Sequence, residues 1–204
     1  MKKLMKRRDQ FIDVVMGIIT NGASGVENAF LCFVDILISF NHSKNLSVQL
    51  DKEAICTLSM FVVDNVFVEE NDADRALDQQ TQVELMHRRR KILAQFCKLI
   101  VYGVLPIHEA STVLQFYTKF YSDFGDILKC LITKCREVDR LASAKAISIA
   151  LTHQYEELRR NFTNQCMDPN SDEFASVRDL AKRLSSVFGS DPVKNREALA
   201  VIHR

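Results

Sequence analysis

Between residues 92 and 158 apolar side chains return every three or four positions, and little in the chain interrupts them. Pro106 is the only proline in that stretch, and Gly103 and Gly125 are the only glycines. The segment 107–121 carries the pattern most cleanly. Its Ala110, Val113, Leu114, Tyr117, Phe120 and Tyr121 follow the i, i+3, i+4, i+7 spacing that lines one face of an α-helix. Across 83–103, Ile92, Leu93, Phe96, Leu99 and Ile100 form a similar stripe. The whole chain of 204 residues holds 6 glycines and 3 prolines, too few turn formers for a many-stranded sandwich or barrel. The chain reads as all-α.

Helices are expected over about 6–20, 24–40, 50–68, 83–103, 107–121, 124–137 and 139–164. Two more run from Ser171-Asp172-Glu173 to about 188 and onward from Pro192, where Asp191 is placed to cap and Pro192 to occupy the first helical position. Asn21-Gly22-Ala23-Ser24-Gly25 marks a turn. The polar, acid-rich run that fills 71–82 is expected to be a loop. The chain thus divides into a helical-repeat segment 1–70, the loop 71–82 and a second helical-repeat segment 83–204. Antiparallel helix pairs of similar length joined by short turns point to a HEAT-like α-solenoid segment. A solenoid normally ends on a polar capping repeat, and "AVIHR" does not supply one, so a piece of a longer array is expected.

Composition removes several function classes. Lys+Arg 27 against Asp+Glu 26 leaves a formal net charge of +1, so no global field draws the chain to DNA or acidic lipid. Cys32, Cys56, Cys97, Cys130, Cys135 and Cys166 lack the spacing of a disulfide framework and most fall in apolar helical patterns, as expected of a reducing compartment. The basic start resembles a secretory leader, but Asp13 interrupts its apolar run, and Phe11, Val14, Val15, Ile18 and Ile19 keep a helical stripe. No apolar run approaches the roughly 18 to 20 residues of a membrane span. Cys130 and Cys135 lie about 140° apart around a helix and share no metal edge. The histidines are scattered singly, and no phosphate loop, nucleophile elbow or paired catalytic carboxylates appear. A non-enzymatic chain without metal, cofactor, membrane or small-molecule substrate is expected. A thiol-dependent hydrolase would need a histidine partner that the sequence does not position.

Two clusters remain. Arg88, Arg89, Arg90 and Lys91 are candidate phosphate contacts, weighed against a solvated start to a helix. In "SDFGDILK", Asp123 can accept from the free amides of a following helix, and Asp126 three residues later completes a pattern like a capping box. Gly125 would allow a tight turn there and leave an acid-lined corner open to a basic partner.

The stretch "RRRKILAQFCKLIVYGVLPIHEASTVLQFYTKFYSDFGDILKCLITKCREVDR" resembles the stromal antigen family of cohesin subunits. That family carries a basic start, an "AFCKLIVYG" core, a "Y-x-K-Y-Y-x-D-Y-G-D-I-I-K" segment and "R-x-I-D". Here these fall on Arg88–Lys91, Gln95–Gly103, Tyr117–Lys129 and Arg136–Asp139. "VRDLAKRLSSVFG" and "KNREALAVIHR" are similar to the motifs that follow, so the likeness covers roughly 87–150 and 174–204. "LPIHEA" departs from the family's acidic "VEMN"-type stretch and places Pro106 at the start of a helix. Such divergence would suit a rapidly changing germline or meiotic paralogue.

The resemblance implies a nuclear, chromatin-associated helical-repeat scaffold that binds the kleisin subunit of cohesin and supports sister chromatid cohesion and chromosome segregation. Chromatin DNA would be reached through the cohesin complex. Family members are several times longer, so the chain would correspond to part of a C-terminal half or to a truncated paralogue. The family's kleisin-docking positions fall on Asp126 and on Arg204, where a lysine is usual, and the neighbouring Asp123 is taken with them. The competing reading is an unrelated helical-repeat adaptor that binds a peptide in a groove.

Overall fold

Side-chain oxygens decide where several helices begin. Asp51 accepts from the Ala54 amide at 2.8 Å and opens a helix over Lys52–Val66. Asp78 accepts from the Thr81 amide at 3.0 Å and from its hydroxyl at 2.6 Å, opening Gln79–Val101. Asp139 takes the amides of Leu141 and Ala142, both at 2.9 Å, at the start of Arg140–Asn161. Ser171 accepts from the Phe174 amide at 3.2 Å and opens Asp172–Ser186. Each occupies at least one of the amides that a first helical turn leaves without a backbone partner.

The computed structural model describes residues 2–22, 25–69, 78–161, 171–187 and 192–202. Among them the helices are α1 (Lys2–Asn21), α2 (Val26–Phe40), α3 (Lys52–Val66), α4 (Gln79–Val101), α5 (Ser111–Leu114), α6 (Tyr121–Val138), α7 (Arg140–Asn161), α8 (Asp172–Ser186) and α9 (Pro192–Ile202). No strand occurs among the described residues, and none of their helices is long and apolar enough to cross a membrane. The fold is all-α, with the helix-on-helix packing that α-solenoids use.

Packing groups the chain into two units, Met1–Leu105 and Pro106–Arg204. In the first, α1 folds back on α2 through a turn where Gly25 takes φ 83°, a conformation that favours glycine. Helices α2 and α3 both lie on α4. The core between them holds Phe30, Phe33, Val34, Leu58, Val62, Leu93 and Phe96, all fully buried, with the Phe30 and Phe61 rings 4.9 Å apart. Helix α1 contributes Val15 and Ile19, whereas Val14 of the expected stripe is 62% exposed. Gly103, at φ 71°, closes α4 while the Val104 and Leu105 amides return to the Leu99 carbonyl at 2.9 and 3.0 Å.

In the second unit α7 is the hub. The segment 107–114, α6, α8 and α9 all pack against it. The side chains it turns inward are mostly small: Ser143, Ala144, Ala146 and Ala150 are no more than 2% exposed, beside Ile147 at 1%. Small residues let neighbouring backbones approach closely from several directions, and larger ones would hold them off.

Two expectations are corrected here. The loop expected over 71–82 gives way to helix at Gln79, four residues ahead of the expected start at 83, because Asp78 supplies a cap there. The single helix expected over 107–121 is instead a 3₁₀ turn over Ile107–Ala110, the short α5, and turns over 115–120 that lead into α6 at Tyr121. Pro106 sets its entry, and Phe120, at φ −113° and ψ 34°, leaves helical geometry just before α6. The amides of Phe116 and Tyr117 bond three residues back, to Val113 and Leu114, so the chain turns more tightly but keeps its face. Tyr117, Phe120, Leu128, Leu131 and Ile147 are accordingly buried, as the periodicity predicts.

Enlarging α7 at its crowded face is expected to destabilise the fold. Ala150→Leu should lower unfolding free energy by about 1–3 kcal/mol in urea denaturation. Lys145→Ala, at an exposed position of the same helix, should change it by less than about 0.5 kcal/mol.

Candidate functional site

The corner "SDFGDILK" is built differently from its sequence-based reading. Helix α6 begins at Tyr121, so Asp123 is its third residue and Asp126 its sixth. The residue ahead of it, Phe120, makes no side-chain cap. The capping box expected from Asp123 and Asp126 is therefore absent, because the helix starts three residues too early for it. Asp123 accepts instead from the Ser122 hydroxyl at 2.9 Å and is half-buried in the first turn, where a carboxylate complements the helix dipole. Asp126 is exposed, one turn further on.

Gly125 makes no turn. It sits within α6, fully covered, and a Cβ built on it would lie 2.9 Å from the Tyr121 ring. The missing side chain is the space that ring occupies. Tyr121 in turn meets Tyr117 edge to face, with centroids 5.5 Å apart, and carries the Arg183 guanidinium of α8 4.2 Å from its own centroid. Arg136, on the last turn of α6, donates to the Val187 carbonyl just past α8. Between these groups lies an open depression of about 370 Å³, which Lys129 also lines. Burial raises the Tyr117 phenol above its ordinary value, aided by Tyr121 and opposed by the Arg183 charge.

Lys129, Thr133 and Arg136 follow Asp126 along one stripe of α6, at spacings of three, four and three. That stripe was legible in the sequence as a helical face, but Arg183 comes from another helix and carried no signal.

The candidate phosphate contacts lie within α4 rather than at its start. Arg88 pairs with Glu27 of α2, Arg89 is only 8% exposed, Arg90 is half-buried and Lys91 is exposed. Consecutive residues turn about 100° around a helix, so the four cations do not share one face. Arg204 lies outside the described residues. No group of three or more His, Cys, Asp or Glu able to hold a metal occurs among the described residues. The five cysteines among them form no disulfide. Burial pushes the Cys135 thiol up to about 11, which suppresses the thiolate a nucleophile needs.

Comparison with known proteins adds a separate line. Residues 140–204 match the family described as STAG protein C-terminal domain. The whole chain is 39% identical to "Cohesin subunit scc-3" of Caenorhabditis elegans, over 19% of that protein. Over 87% of the chain it is 32% identical to "Cohesin subunit SA-1" of Xenopus laevis, and over 72% it is 36% identical to "Cohesin subunit SA-3" of Homo sapiens. These matches cover 15% and 12% of the two relatives. The chain thus spans less than a fifth of the length of each of these curated relatives.

Two outcomes are expected. Alanine in place of a helical glycine ordinarily stabilises by about 0.5–1 kcal/mol. Gly125→Ala should instead lower the thermal midpoint, because its methyl group strikes the Tyr121 ring. A raised midpoint would show that the ring moves aside freely. For the thiols, a maleimide at pH 7 with peptide mapping should label the exposed Cys32, Cys56 and Cys130 first. Cys135 should label only as fast as the fold opens.

Proposed function

Since this chain belongs to the stromal antigen family of cohesin subunits, we propose that it acts as a non-enzymatic scaffold within cohesin, binding the kleisin subunit through the α6 corner. Its relatives bear the name of cohesin subunits. On this reading it works in the nucleus on chromatin, reaches DNA through the complex, and supports sister chromatid cohesion and chromosome segregation without a cofactor. The observation that carries the docking assignment is Asp126. The family's docking motif places an acid at this position, and here that acid is exposed on α6, beyond the first turn. Held on a rigid helix, it can meet a cation of a partner segment without a large loss of side-chain freedom. Asp123 lies one turn away on the same helix and reinforces the negative field, while Arg204 is the basic counterpart at the chain's last residue.

The position of Asp126 sharpens the test. A helix dipole acts mainly on its first turn, so the sixth residue of α6 contributes little through it. Asp126→Lys should change stability by no more than about 1 kcal/mol, the size of an exposed polar contact, and abolish pull-down of a kleisin central segment. Asp126→Asn should weaken the same capture clearly while the fold is untouched. Wild-type capture by both variants would remove Asp126 from the interface.

A further inference from the structure

The depression beside Asp126 has chemistry opposite to that of the corner. Among the described residues, Lys129, Arg136 and Arg183 line it, and none of the lining residues is a carboxylate. Its two arginines are held in place. The Arg183 guanidinium lies over the Tyr121 ring, 4.2 Å from its centroid, and that ring is seated in the space left by Gly125. The fixed fork of guanidinium N–H donors matches phosphate oxygens in pairs. Arg136 is anchored by the Val187 carbonyl, and its five donors exceed what that one bond uses. Lys129 is exposed and adds a mobile charge at the rim.

We propose that this pocket receives a phosphorylated serine or threonine side chain of a partner polypeptide. A side-chain phosphate carries about −1.5 to −2 charge at pH 7 and three acceptor oxygens, which three cations match better than they match a single carboxylate. The volume of about 370 Å³ lies near the lower end of small-ligand pockets, roughly 300–1,000 Å³, and suits one side chain. A duplex presents a continuous row of phosphates and calls for an extended cationic track, whereas these cations gather around one depression. The aromatic wall formed by Tyr117 and Tyr121 gives the flanking peptide an apolar surface. Asp126 does not line the pocket, so this assignment stands apart from the kleisin reading.

The test uses the full chain at low ionic strength and fluorescence anisotropy. The probes are a labelled phosphoserine decapeptide with neutral flanks, its unphosphorylated twin, and inorganic phosphate as competitor. The phosphopeptide is expected to bind at least about tenfold more tightly than its twin and to be displaced by excess phosphate. Lys129→Gln and Arg183→Gln should each weaken it by about tenfold. Lys129 is exposed and its removal leaves the packing intact, so that variant decides the matter if Arg183→Gln also lowers the thermal midpoint. Asp126→Lys should retain the phosphopeptide, which keeps failure of kleisin docking distinct from failure of this pocket. Equal affinity for the two peptides overturns the proposal, as does undiminished binding by Lys129→Gln. It is also overturned if a labelled DNA duplex binds more tightly than the phosphopeptide and loses affinity in the same variants, which would make the pocket part of a nucleic-acid surface.

Discussion

The close approach of four elements to one alanine-lined helix governs the second half of this chain. Helix α7 is covered by the 107–114 segment, α6, α8 and α9, and it can accept them because Ala144, Ala146 and Ala150 offer almost no bulk at the contact. A helix faced with leucines would bury more apolar area per residue but would hold its neighbours further off. The larger side chains come from the surrounding elements, as Phe124, Leu128 and Leu131 of α6 show by their burial. Tight packing around α7 also fixes α8 against α6, and the surface features depend on that.

Those surface features form one mechanical series. Gly125 leaves a notch in α6, Tyr121 fills it, and Arg183 of α8 stacks on Tyr121. Arg136 reaches from the end of α6 to the carbonyl at the end of α8. A cation near the C-terminal end of a helix meets the negative end of its dipole, so the contact adds electrostatic attraction to the hydrogen bond. The result is two adjoining surfaces of opposite sign, with Asp123 and Asp126 toward the start of α6 and the cationic depression further along it. A partner carrying both a basic and an anionic group could engage both, and their separate variants distinguish the contributions.

The sequence-based reading of 107–121 shows where periodicity stops being informative. Its stripe predicted which residues point inward, and Ala110, Val113, Leu114, Tyr117 and Phe120 are all buried, whereas Tyr121 is 44% exposed. It also predicted one α-helix, and that part failed. Turns of three and four residues return a side chain to nearly the same face, so the spacing of apolar residues does not separate them. The phosphate-contact cluster exposes a similar limit. Four adjacent cations read as a patch in one dimension, but helical rotation spreads Arg88 to Lys91 around α4 and buries Arg89.

By itself, the sequence determined the all-α class, the inward faces of most helices and the family, because these depend on local periodicity and on ordered motifs read along the chain. It also placed an acid at position 126. Only the tertiary structure decided what Gly125 is for. A glycine between two acids reads as a turn until the Tyr121 ring is seen in the space beside it. Nor could the order of residues bring Arg183 to Lys129 and Arg136, since those side chains share a depression because α6 and α8 each pack against α7. Side-chain periodicity is a property of one helix, whereas a pocket requires groups from two, and the relative placement of two helices is set by the volumes packed between them.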